Sequence, residues 1–353
     1  MKIAIVARPF KRLPTDEHTA WAPGIIMAAA SQGLVKAGHD VRVYAAKGSQ
    51  VSGELIDFDM PPFTEVRHDL PDTQVEIRRV FYTNLFLKKV INHLRKNAVE
   101  VIHLNDYRDY PIFEAANLDI PIVCTLHGDY VFNFEGSPQV IKDQLVKMNI
   151  ISATQPKELK NLPEPFAVVP NMFNTEEFPF IKNPQDKIVY VGRVTEGKGA
   201  DLVINLAEKI CRRITIYGAQ FNSDDFKKDF LKRVSSKYID YQGALPHERI
   251  KKAYDGKVMV FPMRVPEGFP TAVIEAMSCG TPVVTFDVGG MSQVVKNGVS
   301  GFVVPAGDLD AMSEKIEKAE KLDRELVRQY VASNFSQEVA AEKLIAAFKK
   351  AII

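Results

Sequence analysis

The strongest constraint on the fold is a rhythm in which short apolar runs, each suited to one buried strand, alternate with longer stretches of helical patterning. The runs fall into two sets. The first comprises Ile3 to Ala7, Val41 to Ala45, Val99 to Leu104 and Pro121 to Leu126, and the second Ile188 to Val191, Ile214 to Tyr217, Val258 to Phe261 and Pro282 to Phe286. Strands covered on both faces read as unbroken apolar runs, with helices as their crossovers, so an α/β fold with parallel sheets is expected. Between the sets, Pro163-Glu164-Pro165, Pro170-Asn171-Met172 and a polar segment to Asp186 read as a linker. A chain of 353 residues, 46% hydrophobic and 25% charged, can bury two cores. The expected domains are residues 1–172 and 173–333. Asn334-Phe335-Ser336-Gln337-Glu338 reads as the capped start of a final helix, 334–353, that packs back on the first domain.

Composition removes several functions. A net charge of +1 gives no reason to expect nucleic acid, which strongly basic surfaces usually meet. Three widely spaced cysteines, Cys124, Cys211 and Cys279, suit a reducing compartment. The opening Met1-Lys2-Ile3-Ala4-Ile5-Val6-Ala7 is too short an apolar run for a signal peptide, and no later run has the length of a membrane span. The expected location is the cytoplasm, with peripheral contact at the inner face of the membrane as an added prospect.

The most informative stretch for function runs from Pro266 to Gly280, with Glu267 before a turn and Glu275 inside the segment that follows. Gly268 allows close approach of backbone to a ligand, and Pro270 suits a first helical position because its missing amide proton would have no partner there. A helix starting near Pro270 offers the Thr271, Ala272 and Val273 amides to an anion. Glu275 lies among Val273, Ile274, Ala276 and Met277, where a carboxylate is costly unless hydrogen bonds are donated to it. Paired ribose hydroxyls would supply them, as they do for acidic residues of dinucleotide folds.

The second set opens with a strand, Ile188 to Val191, a turn holding Gly192, Arg193, Gly197, Lys198 and Gly199, and then a helical pattern. Two fixed cations and helix-end amides could stabilise the charge on a departing nucleoside diphosphate without a metal.

With both halves in view, the chain resembles a retaining glycosyltransferase of the two-domain GT-B type, specifically family 4. Gly192-Arg193 through Lys198-Gly199, Gln242-Gly243 with Leu245-Pro246-His247, Glu267 through Glu275, and Gly289-Gly290 carry the likeness. In the first half Gly38-His39-Asp40-Val41, Thr125-Leu126-His127-Gly128 and Val169-Pro170-Asn171 also match. The resemblance implies two Rossmann-like doubly wound domains facing a central cleft and transfer of a sugar from a nucleotide donor to a hydroxyl acceptor, either a glycan, a lipid-linked sugar or a small molecule. It implies Arg193 and Lys198 on the diphosphate, Glu275 on the ribose, and Glu267 with the backbone of Gly268, Phe269 and Thr271 on sugar hydroxyls and phosphate. It places Gly243 in the stretch that meets the base and His127 near the sugar, and it implies no metal and no other cofactor. The chain departs from many relatives at two points: in the loop after the first strand, where a glycine pair commonly brings backbone amides to the phosphates, Thr19 to Ile25 offers only Gly24 to bind the donor, and Pro270 stands where many relatives have glycine.

Plainer readings compete with each assignment. Glu267 could be a solvated loop residue, Glu275 a surface position on an amphipathic helix, Arg193 and Lys198 solvated turn cations, and His127 a core histidine. Asp57-Phe58-Asp59 resembles a metal-binding pair of another transferase fold but reads as a solvated loop before Pro61-Pro62. Residues 78–96 hold Arg78, Arg79, Lys88, Lys89, Arg95 and Lys96 with no acid, interleaved with apolar residues. That pattern suits either an anionic membrane surface or an ordinary crossover helix, and the crossover is the default. Rival functions are a sugar-nucleotide epimerase or a phosphorylase on the same fold, a nicotinamide-dependent dehydrogenase, and a non-catalytic nucleotide-sugar binding protein. The dehydrogenase is disfavoured because Val6 is followed by Ala7-Arg8-Pro9-Phe10 rather than a glycine fingerprint.

Overall fold

The computed structural model describes all residues except 15–21, 68–70, 129–137, 157–162, 220 and 246. By contacts the chain divides into two compact units, one made of Met1–Phe173 with Gln337–Ile353 and the other of Asn174–Ser336.

Unit 1 contains a seven-stranded sheet in the order β3-β2-β1-β4-β5-β6-β7. Its strands are β1 (Lys2–Val6), β2 (Asp40–Tyr44), β3 (Glu54–Ile56), β4 (Val101–Leu104), β5 (Ile122–Leu126), β6 (Asn149–Ser152) and β7 (Ala167–Val168). All pairings are parallel; Ile3, for example, sits between Val41 and Val101. Burial on both faces explains the unbroken apolar runs. One face packs against helix Ala22–Lys36 and the final helix Gln337–Ile352, through Met27, Leu34, Ala340, Leu344 and Phe348. The other packs against helix Asp72–Leu94 through Phe86, Leu87, Val90 and Leu94. Phe348 is fully buried, and truncating such a phenylalanine to alanine costs about 3–5 kcal/mol.

Unit 2 repeats the plan with six parallel strands in the order β10-β9-β8-β11-β12-β13. They are β8 (Gln185–Val191), β9 (Ile214–Tyr217), β10 (Ile239–Gly243), β11 (Gly256–Phe261), β12 (Val283–Phe286) and β13 (Gly301–Val304). Helix Ala200–Ile210 lays Val203, Ile204, Leu206 and Ala207 into the core and stops at Cys211, which adopts a left-handed conformation with φ 51°.

Two local readings change. β7 lies within the stretch read as linker, because a two-residue edge strand carries too little apolar pattern to stand out. Asn334 and Phe335 belong to helix Arg324–Phe335, and the final helix starts at Gln337, whose amide side chain donates to Ala29 O at 2.8 Å. Cys124 and Cys279 are buried free thiols and Cys211 is exposed. No described helix is long and apolar enough to cross a membrane.

Candidate active site

In a doubly wound sheet the crevice opens where the strand order reverses, beyond the carboxyl ends of the two central strands. In unit 2 these strands are β8 and β11. The loop leaving β8 is pinned to the loop leaving β11: Arg264 N and Val265 N donate to Gly197 O at 2.9 and 3.2 Å, and the Arg264 guanidinium reaches Asp201 at 2.6 and 2.7 Å. Gly199 has φ +72°, and a β-carbon there would stand 1.9 Å from Pro262 O, so this contact requires glycine. From beneath, the buried Tyr190 hydroxyl donates to Arg193 O at 2.8 Å.

This frame brings Arg193, Lys198 and Glu267 together. Lys198 Nζ forms an ion pair with Glu267 Oε1, and Arg193 Nη2 lies 3.8 Å from the same oxygen. Lys198 is buried and its ammonium stands 5.6 Å over the Phe261 ring, whereas Arg193 is exposed. Burial lowers the Lys198 pKa from its ordinary value, and Glu267 opposes that shift. An anion approaching this lysine would favour its charged form further.

A third loop fixes Glu267. Gly290 N donates to Glu267 O at 3.2 Å, and a β-carbon on Gly289, at φ +56°, would come within 2.7 Å of Glu267 O and 2.8 Å of Glu267 N. The glycine pair thus holds the acid's backbone from the β12 side.

Helix Thr271–Ser278 begins one residue later than the sequence suggests. Pro270 is its N-cap, with φ −74° and ψ 111°, and Val273 N donates to Pro270 O at 3.2 Å. Val273 is thereby removed from the expected anion donors, leaving the Thr271 and Ala272 amides without intrahelical acceptors. Phe269 turns its ring inward, 5.5 Å edge-on to Phe335, and Gly268 is buried, so a ligand here would meet backbone rather than the Phe269 side chain. Thr271 is half-buried.

Glu275 stands apart from the cations in its bonding: among the described residues no ion pair joins it to Arg193 or Lys198, and the fully buried Tyr254 donates its hydroxyl to Glu275 Oε2. Burial raises the Glu275 pKa to about 7, with the Tyr254 bond pulling the other way. Sequence reasoning demanded a donor for this carboxylate but missed Tyr254, because it lies on a different element, just before β11. Gly243 ends β10 with φ +69° and accepts from Gly218 N at 2.7 Å. Of the accompanying Leu245-Pro246-His247, Pro246 lies outside the described residues.

In unit 1, His127 follows β5 and its Nε2 lies 3.1 Å from Asn105 Oδ1. Its Nδ1 is buried without a protein partner, and burial lowers the imidazole pKa to about 4, so the ring is neutral near pH 7. His103, Asn105, Thr125 and His127 share a cavity of about 20 Å³, room for a single water. Gly24 sits buried in the first turn of helix Ala22–Lys36 rather than in a loop, which corrects its expected setting; Thr19, Ala20 and Trp21 lie outside the described residues. The switch point between β1 and β4 holds a cluster absent from the sequence reading. Arg8 Nη2 and Nε reach Asp109 Oδ1 at 2.7 and 2.9 Å, Arg8 Nη1 reaches Asp106 at 3.0 Å, and Arg108 Nε reaches Asp106 at 2.8 Å. Asp57 and Asp59 form a loop, with Asp59 paired to Lys47.

Two doubly wound units, one with a surplus of positive charge at its switch point, define an α/β protein suited to phosphate-bearing ligands. Comparison with known proteins makes this specific. The family described as Glycosyl transferases group 1 matches residues 173–349, half of the chain, and Glycosyltransferase Family 4 matches residues 25–155. The chain belongs to the glycosyl transferases of group 1, with the family 4-like first half and GT-B fold that its motifs suggest. An uncharacterized glycosyltransferase of Methanocaldococcus jannaschii is 22% identical over 88% of this chain and 87% of its own length. The D-inositol 3-phosphate glycosyltransferase of Mycolicibacterium smegmatis is 30% identical, over 48% of this chain and 41% of that protein. Among solved structures, sucrose-phosphate synthase from Thermosynechococcus elongatus superposes with a TM-score of 0.77 at 18% identity, covering 99% of this chain and 98% of that one. An Anabaena protein solved in complex with UDP gives 0.71 at 14% identity, over 99% of this chain and all of the other.

Proposed function

We propose that this glycosyltransferase moves a sugar from a nucleoside diphosphate donor to a hydroxyl acceptor, with retention at the anomeric carbon and without a metal. The observation that carries the reading is the convergence of Lys198, Arg193 and Glu267 at the β8/β11 switch point. As the glycosidic bond to phosphate breaks, negative charge grows on the diphosphate, and Lys198, buried and paired with Glu267, stabilises it without reorganising, with the exposed Arg193 as a second cation. Each charge-assisted hydrogen bond of this kind contributes roughly 1.5–3 kcal/mol. The Thr271 and Ala272 amides add the positive end of a helix. Glu275, already bonded to Tyr254, is assigned to the ribose hydroxyls and Gly243 to the base. Glu267 and the backbone of Gly268, Phe269 and Thr271 are assigned to the sugar and phosphate. His127, neutral and at the carboxyl end of β5, is assigned to the sugar in unit 1, while Gly24 loses the support a loop position would give.

No residue is assigned as a covalent nucleophile. The acceptor hydroxyl attacks on the face from which the diphosphate departs, and a phosphate oxygen takes its proton, so catalysis rests on position and charge. The relatives named for D-inositol 3-phosphate and the UDP complex favour a polyol or sugar acceptor and a uridine donor as first candidates.

A thermal-shift panel of uridine, guanosine and adenosine diphosphates and their sugars tests donor binding, with one base expected to raise the melting temperature. Product NMR then reads the anomeric configuration, and chelator reads the metal requirement. Failure of every nucleotide to bind would overturn the proposal, an inverted product would remove retention, and complete loss of turnover in chelator, restored by a divalent cation, would remove metal independence.

A further inference from the structure

We propose that the amino-terminal half of helix Asp72–Leu94 is a docking surface for an anionic phospholipid bilayer. At 23 residues the helix is about 34 Å long, roughly twice the span of the five-residue strand β1. Its second half is the crossover expected from the sequence, with Phe86, Leu87, Val90, Ile91 and Leu94 buried under the sheet. Its first half extends to the loops at the carboxyl end of that sheet: Tyr82 donates to Pro61 O at 2.6 Å, and Arg79 lies 5.7 Å over the Phe10 ring.

There the outward face is apolar. Ile77, Val80, Phe81 and Leu85 are 72, 50, 65 and 42% exposed, and their i, i+3, i+4, i+8 spacing lines them along one stripe. Arg78, Lys88 and Lys89 are exposed on the same side of the helix, and Glu76, the acid nearest the stripe, is bonded to Arg79 at 2.9 Å. Apolar side chains that enter the acyl boundary, bordered by cations that meet phosphate headgroups, are the features of an interfacial helix. A second copy of this chain fits less well, because a two-fold contact through the stripe would bring Arg78, Lys88 and Lys89 toward their own images. The stripe lies at the crevice end of unit 1, so a hydroxyl acceptor carried by a membrane lipid would be delivered to that end. This last step rests on the transfer reaction proposed above, whereas docking itself does not.

Co-sedimentation of the full chain with vesicles tests docking independently of catalysis. Binding is expected to phosphatidylcholine vesicles containing phosphatidylglycerol, weak or absent on phosphatidylcholine alone, and reduced at high salt. Ile77→Ser with Phe81→Ser should lower partitioning at least tenfold, and Lys88→Glu with Lys89→Glu about tenfold, with nucleotide binding unchanged as the control for folding. No sedimentation of the wild type with anionic vesicles at low salt overturns the proposal. So does concentration-dependent dimerisation that the serine variant abolishes while vesicle binding persists. Docking with no turnover of any nucleotide sugar would leave this surface intact and count against the transfer reaction instead.

Discussion

Between β1 and β4, Arg8 is held by two carboxylates, Asp106 and Asp109, and Arg108 completes a balanced set; between β8 and β11, a single carboxylate, Glu267, faces both Lys198 and Arg193. The strand order around the two points is the same. The chemistry is not, because the first set is internally neutral and the second keeps a positive surplus that a diphosphate can use. Topology supplies two equivalent crevices, and a few side chains set the charge that each of them presents.

That contrast can be broken experimentally. Lys198→Ala should lower turnover by about a hundredfold with the circular dichroism spectrum unchanged, since it removes the buried cation proposed to meet the leaving group. A wild-type rate in this variant would show that the surplus charge is not used. Arg8→Ala should instead destabilise unit 1 by about 2 kcal/mol in urea unfolding and leave nucleotide affinity unchanged. The figure is below the full cost of a broken buried pair because the Arg8 side chain is 18% exposed. Should nucleotide affinity fall with Arg8, the division of labour between the two clusters is wrong.

Gly289→Ala sharpens the comparison at Glu267. The added methyl meets Glu267 backbone, so turnover is expected to fall about tenfold with a smaller loss of melting temperature. Equal losses at a control glycine such as Gly298, whose β-carbon would meet nothing within 4 Å, would refute the positioning role.

The smallest effect concerns pH. Burial raises the Glu275 pKa from 4.5 to about 7, so its neutral form is the one the fold favours. Its stabilising share is complete below about pH 4.5 and is lost as pH rises through about 7. Glu275→Gln, always neutral, should match the wild type near pH 5 and melt about 2 °C higher near pH 8. His127 has the opposite sign: its lowered pKa makes its share complete above about 6.5 and lost as pH falls toward about 4. A glutamine variant with no pH-dependent gap would show that the carboxylate is solvated.

Much of the fold is legible because buried parallel strands cannot avoid apolar runs. β1, β2, β4, β5, β8, β9, β11 and β12 all stand out in this way, whereas β3 (Glu54–Ile56), β6 (Asn149–Ser152), β7 (Ala167–Val168), β10 (Ile239–Gly243) and β13 (Gly301–Val304) do not. These five lie at or next to the sheet edges, and each is short or interrupted by polar residues or glycine. In the site, Arg193, Lys198 and Glu267 are readable because glycines punctuate the turns that bring them together. Tyr254 and Arg8 are not, since their partners lie 21 and 101 residues away and nothing local in the sequence marks the pairing.

The return of Gln337–Ile352 to unit 1 separates order of synthesis from order of completion. Unit 2 is one continuous stretch, Asn174–Ser336, whereas the unit that precedes it lacks Ala340, Leu344 and Phe348 until the segment that follows unit 2 has left the ribosome. A nascent chain halted near residue 336 therefore carries a finished carboxyl-side module and an amino-side sheet with one apolar face still uncovered, the species that chaperones would be expected to hold.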